Sequence, residues 1–298
     1  MARVVEKIMG GQVRAPALIQ YASCLYANRS WPRALDSLTP AGKYLALLGN
    51  CVSAATEAEA NASQQFLLRC ASKWDRVFIV PGPLEYTSNP IEKQPYAYQI
   101  DKVAAILKGV NATKQQNRVV LMDQGEYAFV EDDIVMLGAY GGTAPESDTV
   151  LQPEWPEANI WTVRNGRIVR AGVEGLTSLH ESDVEWLYDK MQWYSIKRPQ
   201  TRCVVLTHSL CSKYLLAKAA GQRRWTAERR GLEIMGTAPA NRLAQNTSLY
   251  VWLCGASPSS VSGFVGKSIF AAVNGCYDVD GAKNPLYAPN RTLGLEMR

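Results

Sequence analysis

The stretch Val77–Tyr86 reads VFIVPGPLEY, an apolar run that ends abruptly in proline and glycine. The run predicts a buried strand over Arg76–Val80, and Pro81-Gly82-Pro83 predicts the turn that closes it. Glu85 follows at a turn or helix start, where a carboxylate can accept hydrogen bonds from backbone N–H groups. We therefore expect a strand, a tight turn and a structural acid in direct succession.

The same pattern of a strand followed by small or polar residues recurs along the chain. Strand-like runs end at Ser23-Cys24, Gly49-Asn50, Gly82-Pro83, Thr207-His208 and Gly255-Ala256. Segments with helical spacing alternate with these strands, which is typical of an α/β layered domain. In open α/β sheets the ligand site lies outside the carboxyl ends of the strands, so the five ends predict one shared pocket.

The clearest helix in the sequence follows an acidic, glycine-rich and proline-rich loop. Ser182 and Glu185 have capping-box spacing, which predicts that the helix is capped at Ser182. Its apolar stripe consists of Val184, Leu187, Met191 and Tyr194. Connections elsewhere are short, so we predict an N-terminal extension over residues 1–16 and one single domain over residues 17–298.

Composition excludes several classes of protein. The chain has 298 residues, 47% of them hydrophobic and 20% charged, so it can bury a large core and is not intrinsically disordered. No apolar run reaches the roughly 18 residues that a membrane span needs. The first residues carry charges and no apolar segment of signal-peptide type. Seven cysteines without a C-x-x-C pair indicate reduced thiols, so we expect an intracellular protein.

Charge is distributed unevenly along the sequence. Between Leu121 and Lys190 there are 14 acidic and 4 basic residues, whereas between Ser195 and Leu243 there are 10 basic and 2 acidic residues. Part of the basic half is the basic segment, residues 213–230, which also contains Trp225. Its cations are Lys213, Lys218, Arg223, Arg224, Arg229 and Arg230. Such a segment can be a solvated face, a protein contact or a site for nucleic acid.

The order and spacing of the five strand ends resemble those of the calcineurin-like metallophosphoesterase superfamily. The matching stretches are IQYASCLY (Ile19–Tyr26), LALLGN (Leu45–Asn50), VFIVPGPLEY (Val77–Tyr86), VVLTHSLCS (Val204–Ser212) and VWLCGASPSS (Val251–Ser260). A further stretch, SIFAAVNGCY (Ser268–Tyr277), resembles the segment that follows the last family motif. The resemblance runs from about Ala17 to Met297 and implies an α/β fold, a four-layered αββα sandwich with two mixed sheets.

The family holds two metal ions through D-x-H, G-D, G-N-H-[DE], a lone His and G-H-x-H motifs, and these motifs are degenerate here. We call the eight positions that match them the degenerate metal-site positions. They are Cys24 and Tyr26 in the first motif, Asn50 in the second, Pro83 and Leu84 in the third, His208, and Ala256 and Pro258 in the last. Only His208 keeps a ligand of the family type, and Leu84 replaces the histidine that protonates the leaving group.

The resemblance therefore implies a pseudoenzyme that binds no catalytic metal and no other cofactor. A two-metal site needs a negatively charged bridging ligand, since two dications about 3.5–4 Å apart otherwise repel each other. Asn50 is neutral, and Pro83 and Ala256 offer no side-chain donor. We expect a structural or interaction component of a larger assembly with protein partners. A virion of a large DNA virus, a ribosome-like particle and a cytoskeletal complex are examples of such an assembly.

Three alternatives use other residues. A hydrolase could have been rebuilt around Cys24 and His208. A zinc site could combine His208 with thiolates of Cys24, Cys51, Cys211 and Cys254. The chain could also be a nucleic-acid-binding module that uses the basic segment.

Overall fold

The computed structural model describes residues 17–116, 118–129, 133–142, 145, 150–153, 156–209, 242–243, 245–257, 261–265, 267–274, 287 and 292–295. Its helices are α1 (Trp31–Asp36), α2 (Glu57–Lys73), α3 (Pro83–Tyr86), α4 (Tyr96–Lys114) and α5 (Gly172–Lys197). Its strands are β1 (Ala17–Ala22), β2 (Tyr44–Leu48), β3 (Arg76–Val80), β4 (Val119–Leu121), β5 (Gly125–Phe129), β6 (Ile134–Ala139), β7 (Trp161–Arg164), β8 (Arg167–Arg170), β9 (Arg202–Thr207), β10 (Leu249–Ser257), β11 (Val261–Val265), β12 (Ser268–Asn274) and β13 (Thr292–Leu295).

The strands form two mixed sheets and one separate hairpin. The first sheet has the order β13-β1-β2-β3-β4, with β1 to β4 parallel and β13 antiparallel to β1. The second has the order β11-β12-β10-β9-β6-β5, in which the four central strands are parallel and both edge strands are antiparallel to their neighbours. Strands β7 and β8 form an antiparallel hairpin of their own.

Alternation of side chains along the strands produces four layers. In β2, Leu45 and Leu47 point to a core that includes Phe66 of α2 and Leu107 of α4. The residues between them, such as Ala46, belong instead to a core that the two sheets share. The outer face of the second sheet packs on α5. The predicted αββα sandwich with two mixed sheets is confirmed.

The helices of the first layer have ordinary end signals. Helix α2 begins after Thr56, whose hydroxyl oxygen accepts a hydrogen bond from the Glu59 amide at 3.2 Å. Glu57 and Glu59 place negative charge in its first turn, where the helix dipole favours it. Helix α4 is capped at its C-terminal end by Gln115, which adopts a left-handed conformation with φ of 51°.

The predicted start of the α5 helix at Ser182 is wrong. Helix α5 begins at Gly172, ten residues earlier, and Ser182 lies within it. The Ser182 hydroxyl accepts a hydrogen bond from Gln124 Nε2 at 2.9 Å instead of capping a helix. Capping-box spacing also arises by chance within a helix, and tertiary contacts decide its use.

Two regions singled out in the sequence, the extension over residues 1–16 and the basic segment, lie outside the described residues. The division of the chain into extension and domain therefore stays a prediction. In the part of the chain that is described, every helix is too short or too polar to cross a lipid bilayer.

An aromatic cluster joins the two sheets. Phe78 of β3 lies 5.3 Å from Tyr127 and 6.2 Å from Phe129, both on β5, measured between ring centroids. Phe129 also lies 5.1 Å from Tyr44 of β2. The two pairs that Phe78 makes are edge-to-face, and such pairs add to the stabilisation that comes from burial alone.

We expect Phe78→Ala to lower the free energy of unfolding by about 3–5 kcal/mol, because it opens a cavity between the sheets. Phe78→Leu should cost about 1 kcal/mol and keeps the test possible if the alanine variant does not fold. Ile196→Ala, at a side chain that is 64% exposed, is the control. Urea unfolding measures all three, and equal losses for Phe78→Ala and Ile196→Ala would contradict the packing described here.

Candidate functional site

The loops that follow the central strands of both sheets meet at one rim. After β1, the amide of Cys24 donates to Gly49 O at 3.0 Å, and the amide of Tyr26 donates to Asn50 O at 3.0 Å. The end of β10 joins them, because the Ala256 amide donates to Ser23 Oγ at 3.2 Å. We call these loops, together with those after β3 and β9, the rim. The strand ends therefore lie together as predicted, and a shared ligand pocket among them stays a prediction.

Glu85 holds the rim together. It is 1% exposed, and its carboxylate accepts four backbone hydrogen bonds, two at each oxygen. Oε1 accepts from the amides of Cys51 at 2.8 Å and Val52 at 3.0 Å. Oε2 accepts from the amides of Gly82 at 2.8 Å and Asn50 at 3.0 Å. Burial raises the pKa of Glu85, while the four N–H groups oppose that rise by stabilising the carboxylate.

Three glycines allow the backbones of the rim to touch. A Cβ at Gly49, whose φ is 80°, would lie 2.2 Å from His208 Nδ1. A Cβ at Gly82 would lie 2.8 Å from the Asn50 amide nitrogen, and one at Gly255 would lie 2.3 Å from Leu48 O. Contacts this short exclude any side chain. The strand ends are therefore packed directly against one another.

His208 is part of this packing. It is 4% exposed, and its Nδ1 lies 2.8 Å from Leu48 O, which can only accept, so Nδ1 carries the proton. Its ring stacks on Tyr140 with centroids 6.1 Å apart. Burial lowers the pKa of His208 to about 4, so the imidazole is neutral at pH 7. In this arrangement the ring ties β9 to the end of β2.

Asn50 uses both ends of its amide within the protein. Oδ1 accepts a hydrogen bond from the Leu84 amide at 2.9 Å, and Nδ2 donates to Cys24 Sγ at 3.9 Å. The side chain thus connects the loops that follow β1, β2 and β3. A neutral amide with these contacts cannot supply the negative charge that a bridge between two dications needs.

The backbone at four degenerate metal-site positions is left-handed. Cys24, Tyr26, Asn50 and Ala256 have φ values of 53°, 48°, 54° and 47°. Apart from asparagine, residues with a Cβ adopt this conformation at a cost of roughly 1–2 kcal/mol each. Such outliers cluster at functional sites, where the surrounding structure enforces them. Their concentration here marks the rim as the candidate site.

The remaining predicted site residues have structural surroundings. Tyr26 is buried beneath the Arg29 guanidinium, which lies 5.0 Å from the ring centroid. Pro83 is buried at the start of α3, and the half-buried Leu84 packs on the core beneath α2 and α4. Pro258 lies outside the described residues, as do all six cations of the basic segment.

The residues present do not fit a two-metal centre. Within the described ranges, no group of three or more His, Cys, Asp or Glu side chains is arranged so that it could hold a metal ion. The alternative zinc site meets the same obstacle: Cys51 Sγ donates to Gly49 O at 3.2 Å, and Cys254 Sγ lies 3.5 Å from Ala271 O. Burial raises the pKa of the Cys51 thiol well above its ordinary value, which disfavours the thiolate that zinc requires. Cys211 lies outside the described residues.

The rebuilt hydrolase meets a different difficulty. A general base works best with a pKa near the working pH, and the pKa of His208 is about 4 because the ring is buried. Its Nδ1 is already engaged by Leu48 O. The imidazole is therefore a weak base for activating the Cys24 thiol.

One group of site residues was missed in the sequence. Asp123, Asp183 and Tyr86 meet beside the rim, where the Tyr86 hydroxyl donates to Asp123 Oδ1 at 2.5 Å. Asp183 is buried and accepts the Gly141 amide at Oδ2, at 2.8 Å. These acids contribute to the negative charge of the 121–190 stretch, but acidic residues are common on surfaces. Only Asp183, set in the apolar half of an amphipathic helix, gave a usable signal.

Comparison with known proteins supports the fold. The sequence matches no protein-family model and no curated protein. Among solved structures, the phosphopantetheinyl hydrolase of Mycobacterium tuberculosis aligns with 87% of this chain and 89% of its own, at 13% identity and a TM-score of 0.57. A dimetal phosphatase from Danio rerio aligns with 88% of each chain at 10% identity and a TM-score of 0.49. The first of these likenesses shows that the chain has the fold of the calcineurin-like metallophosphoesterases.

We expect Glu85→Gln to lower the free energy of unfolding by about 2–4 kcal/mol at pH 7. The carboxamide replaces one acceptor oxygen with an NH₂ group, which leaves buried backbone N–H groups without a partner. Glu92→Gln, at an exposed position, removes the same charge and serves as the control. Urea unfolding provides the measurement. A loss no larger than that of Glu92→Gln would show that the four hydrogen bonds do not hold the rim.

Proposed function

We propose that this protein is a catalytically inactive member of the metallophosphoesterase fold that acts as a structural or interaction component of a larger assembly. The observation that carries the proposal is the rim itself. His208 is hydrogen-bonded to Leu48 O, Asn50 accepts a hydrogen bond from the Leu84 amide, and the rim glycines leave no space for side chains between these groups. Glu85 accepts hydrogen bonds from the backbone of two loops. Side chains that the family uses for metal are replaced by groups that hold the strand ends together.

The losses affect separate parts of the phosphoesterase mechanism. Asn50 removes the charge between the metal ions, and Ala256 removes a donor from one coordination sphere. Leu84 stands where a histidine would protonate the departing oxygen, and general acid catalysis alone typically contributes about 10²–10⁴-fold. A single restored ligand would therefore not restore the reaction, which favours a non-catalytic role over a weakened enzyme.

The uneven charge distribution of the chain supports a role in an assembly. The basic segment carries six cations and the 121–190 stretch carries an excess of carboxylates. Complementary charges steer association and fix its register. We propose that the segment and the extension over residues 1–16 contact protein partners, within a particle such as a virion or another large complex. The alternative is that the same cations bind nucleic acid instead of a protein partner.

Purified protein should contain no stoichiometric transition metal and should not hydrolyse an aryl phosphodiester in excess Mn²⁺, because the donor set and the proton donor are missing. Elemental analysis and the phosphodiesterase assay measure this. His208→Asn is the matched control, since its amide can keep the hydrogen bond to Leu48 O without supplying an imidazole. Stoichiometric metal, or turnover that His208→Ala and His208→Asn both abolish, would overturn the proposal in favour of the rebuilt hydrolase.

Charge reversal of the basic segment should remove the chain from its assembly without unfolding it. The test variant changes Arg223, Arg224, Arg229 and Arg230 to Glu, and the control variant changes Arg69, Lys102, Lys108 and Lys197 to Glu. Both variants alter the net charge equally. A loss of co-sedimentation confined to the test variant would therefore show that the position of the reversed charges matters. The readout is co-sedimentation of the tagged chain with large complexes from its native source, alongside thermal unfolding.

Two results with these variants, one from co-sedimentation and one from nucleic-acid binding, would count against the protein-partner proposal. If both variants co-sediment like the unaltered chain, the basic segment is not a contact surface. If the purified chain binds single-stranded DNA or RNA with an affinity that falls steeply as salt rises, and only the test variant loses it, the segment serves nucleic acid instead.

A further inference from the structure

A cleft of about 500 Å³ lies beside the rim, on the far side of two tyrosines from His208. Tyr140 stacks on His208, and Tyr86 lies edge-on to Tyr140 with centroids 5.2 Å apart. The cleft opens beyond Tyr86, between α3, α4, the turn after β4, β7 and α5. It is therefore distinct from the degenerate metal-site positions, and its ability to bind a ligand does not depend on the proposed function.

Two carboxylates lie in the wall of the cleft. Asp183 of α5 is 4% exposed, and its Oδ1 accepts a hydrogen bond from Gln124 Nε2 at 3.2 Å. Asp123 accepts the Tyr86 hydroxyl. Burial, with a further contribution from the charge of Asp123, raises the pKa of Asp183 to about 7. Each acid is held in place by neutral donors.

The charge of the cleft is not balanced by its other described residues. Arg164 is the one cation in the described lining, and its Nη2 is already paired with Glu174 Oε2 at 2.8 Å. Three carboxyl groups and one guanidinium therefore face the same space. Removing a carboxylate from water without a counter-ion costs free energy. A cation that entered the cleft would therefore be attracted by carboxylates that no described cation of the protein neutralises.

The aromatic wall indicates the kind of cation. Tyr86 and Tyr96 line the cleft together, with ring centroids 5.8 Å apart and planes at 83°. Aromatic faces attract ammonium groups and pack against the alkyl carbons next to them. Leu179 and Val163 add further apolar surface. A bare metal ion would use none of this surface, and among the described residues no group of three acidic, cysteine or histidine side chains is arranged to hold one.

We infer that this cleft binds the ammonium group of an alkylamine, with Asp123 and Asp183 pairing with the charge and Tyr86 and Tyr96 packing against the alkyl chain. The cleft volume of about 500 Å³ is more than sufficient for an ammonium group and a short alkyl chain. Two sources offer that chemistry: a free aliphatic diamine, and the side chain of a lysine on a partner protein.

The test is calorimetric titration at pH 8, where Asp183 is largely ionised. The probes are 1,4-diaminobutane, a short peptide with one lysine, and the same peptide with that lysine acetylated. We expect one of the two charged probes to bind and the acetylated peptide not to bind. Binding of the diamine alone identifies a free amine as the ligand, and binding of the peptide identifies a lysine.

Asp123→Asn and Asp183→Asn should each weaken that binding about tenfold or more, since a charge-assisted hydrogen bond is lost while an acceptor oxygen remains. Asp189→Asn, on the same helix but exposed, should bind like the unaltered chain. Thermal unfolding checks that all variants fold. Absence of binding by both charged probes, equal binding by the three variants, or displacement of the amine by stoichiometric Ca²⁺ or Mn²⁺ would overturn the inference.

Discussion

A buried carboxylate that accepts four backbone hydrogen bonds is the contact on which this structure depends. Glu85 binds two amides of the loop after β2, the amide of Asn50 just before them, and that of Gly82 after β3. Each of those N–H groups is directed inward and would otherwise lack a partner. Because the acid fixes two loops at once, Asn50 and Leu84 are brought within hydrogen-bond distance, which adds a further contact between the loops of the rim.

Under the proposed function, that arrangement explains how the scaffold can persist while metal ligands are replaced. The left-handed residues and the close-packed glycines are backbone requirements, which the neighbouring strands impose regardless of the side chains at Cys24 or Ala256. Substitution of a metal ligand by a small or apolar residue leaves those requirements intact. The same physical features that would position ligands in a metal centre are thus sufficient to hold the sheets together.

The sequence could predict this architecture because parallel strands reveal themselves as short apolar runs that end in small residues. VFIVPGPLEY shows both the strand and the structural acid, and the structure confirms each of them. The start of α5 could not be predicted, since Ser182 has a cap-like spacing but makes a tertiary contact with Gln124. The hairpin β7–β8 was also missed, although Asn165-Gly166 between two strand-like runs is a turn signal. The cleft depends on residues far apart in sequence, such as Asp123 and Asp183, which no local pattern connects.

The central claim is that the rim has been converted from a metal centre into a structural junction. Crystals soaked in excess Mn²⁺ and measured with anomalous diffraction at the manganese edge test it most directly. The account predicts no anomalous peak among Cys24, Asn50, His208 and Ala256, with the His208–Leu48 and Asn50–Leu84 hydrogen bonds in place. Two peaks about 3.5–4 Å apart at the rim, with those hydrogen bonds broken, would contradict it.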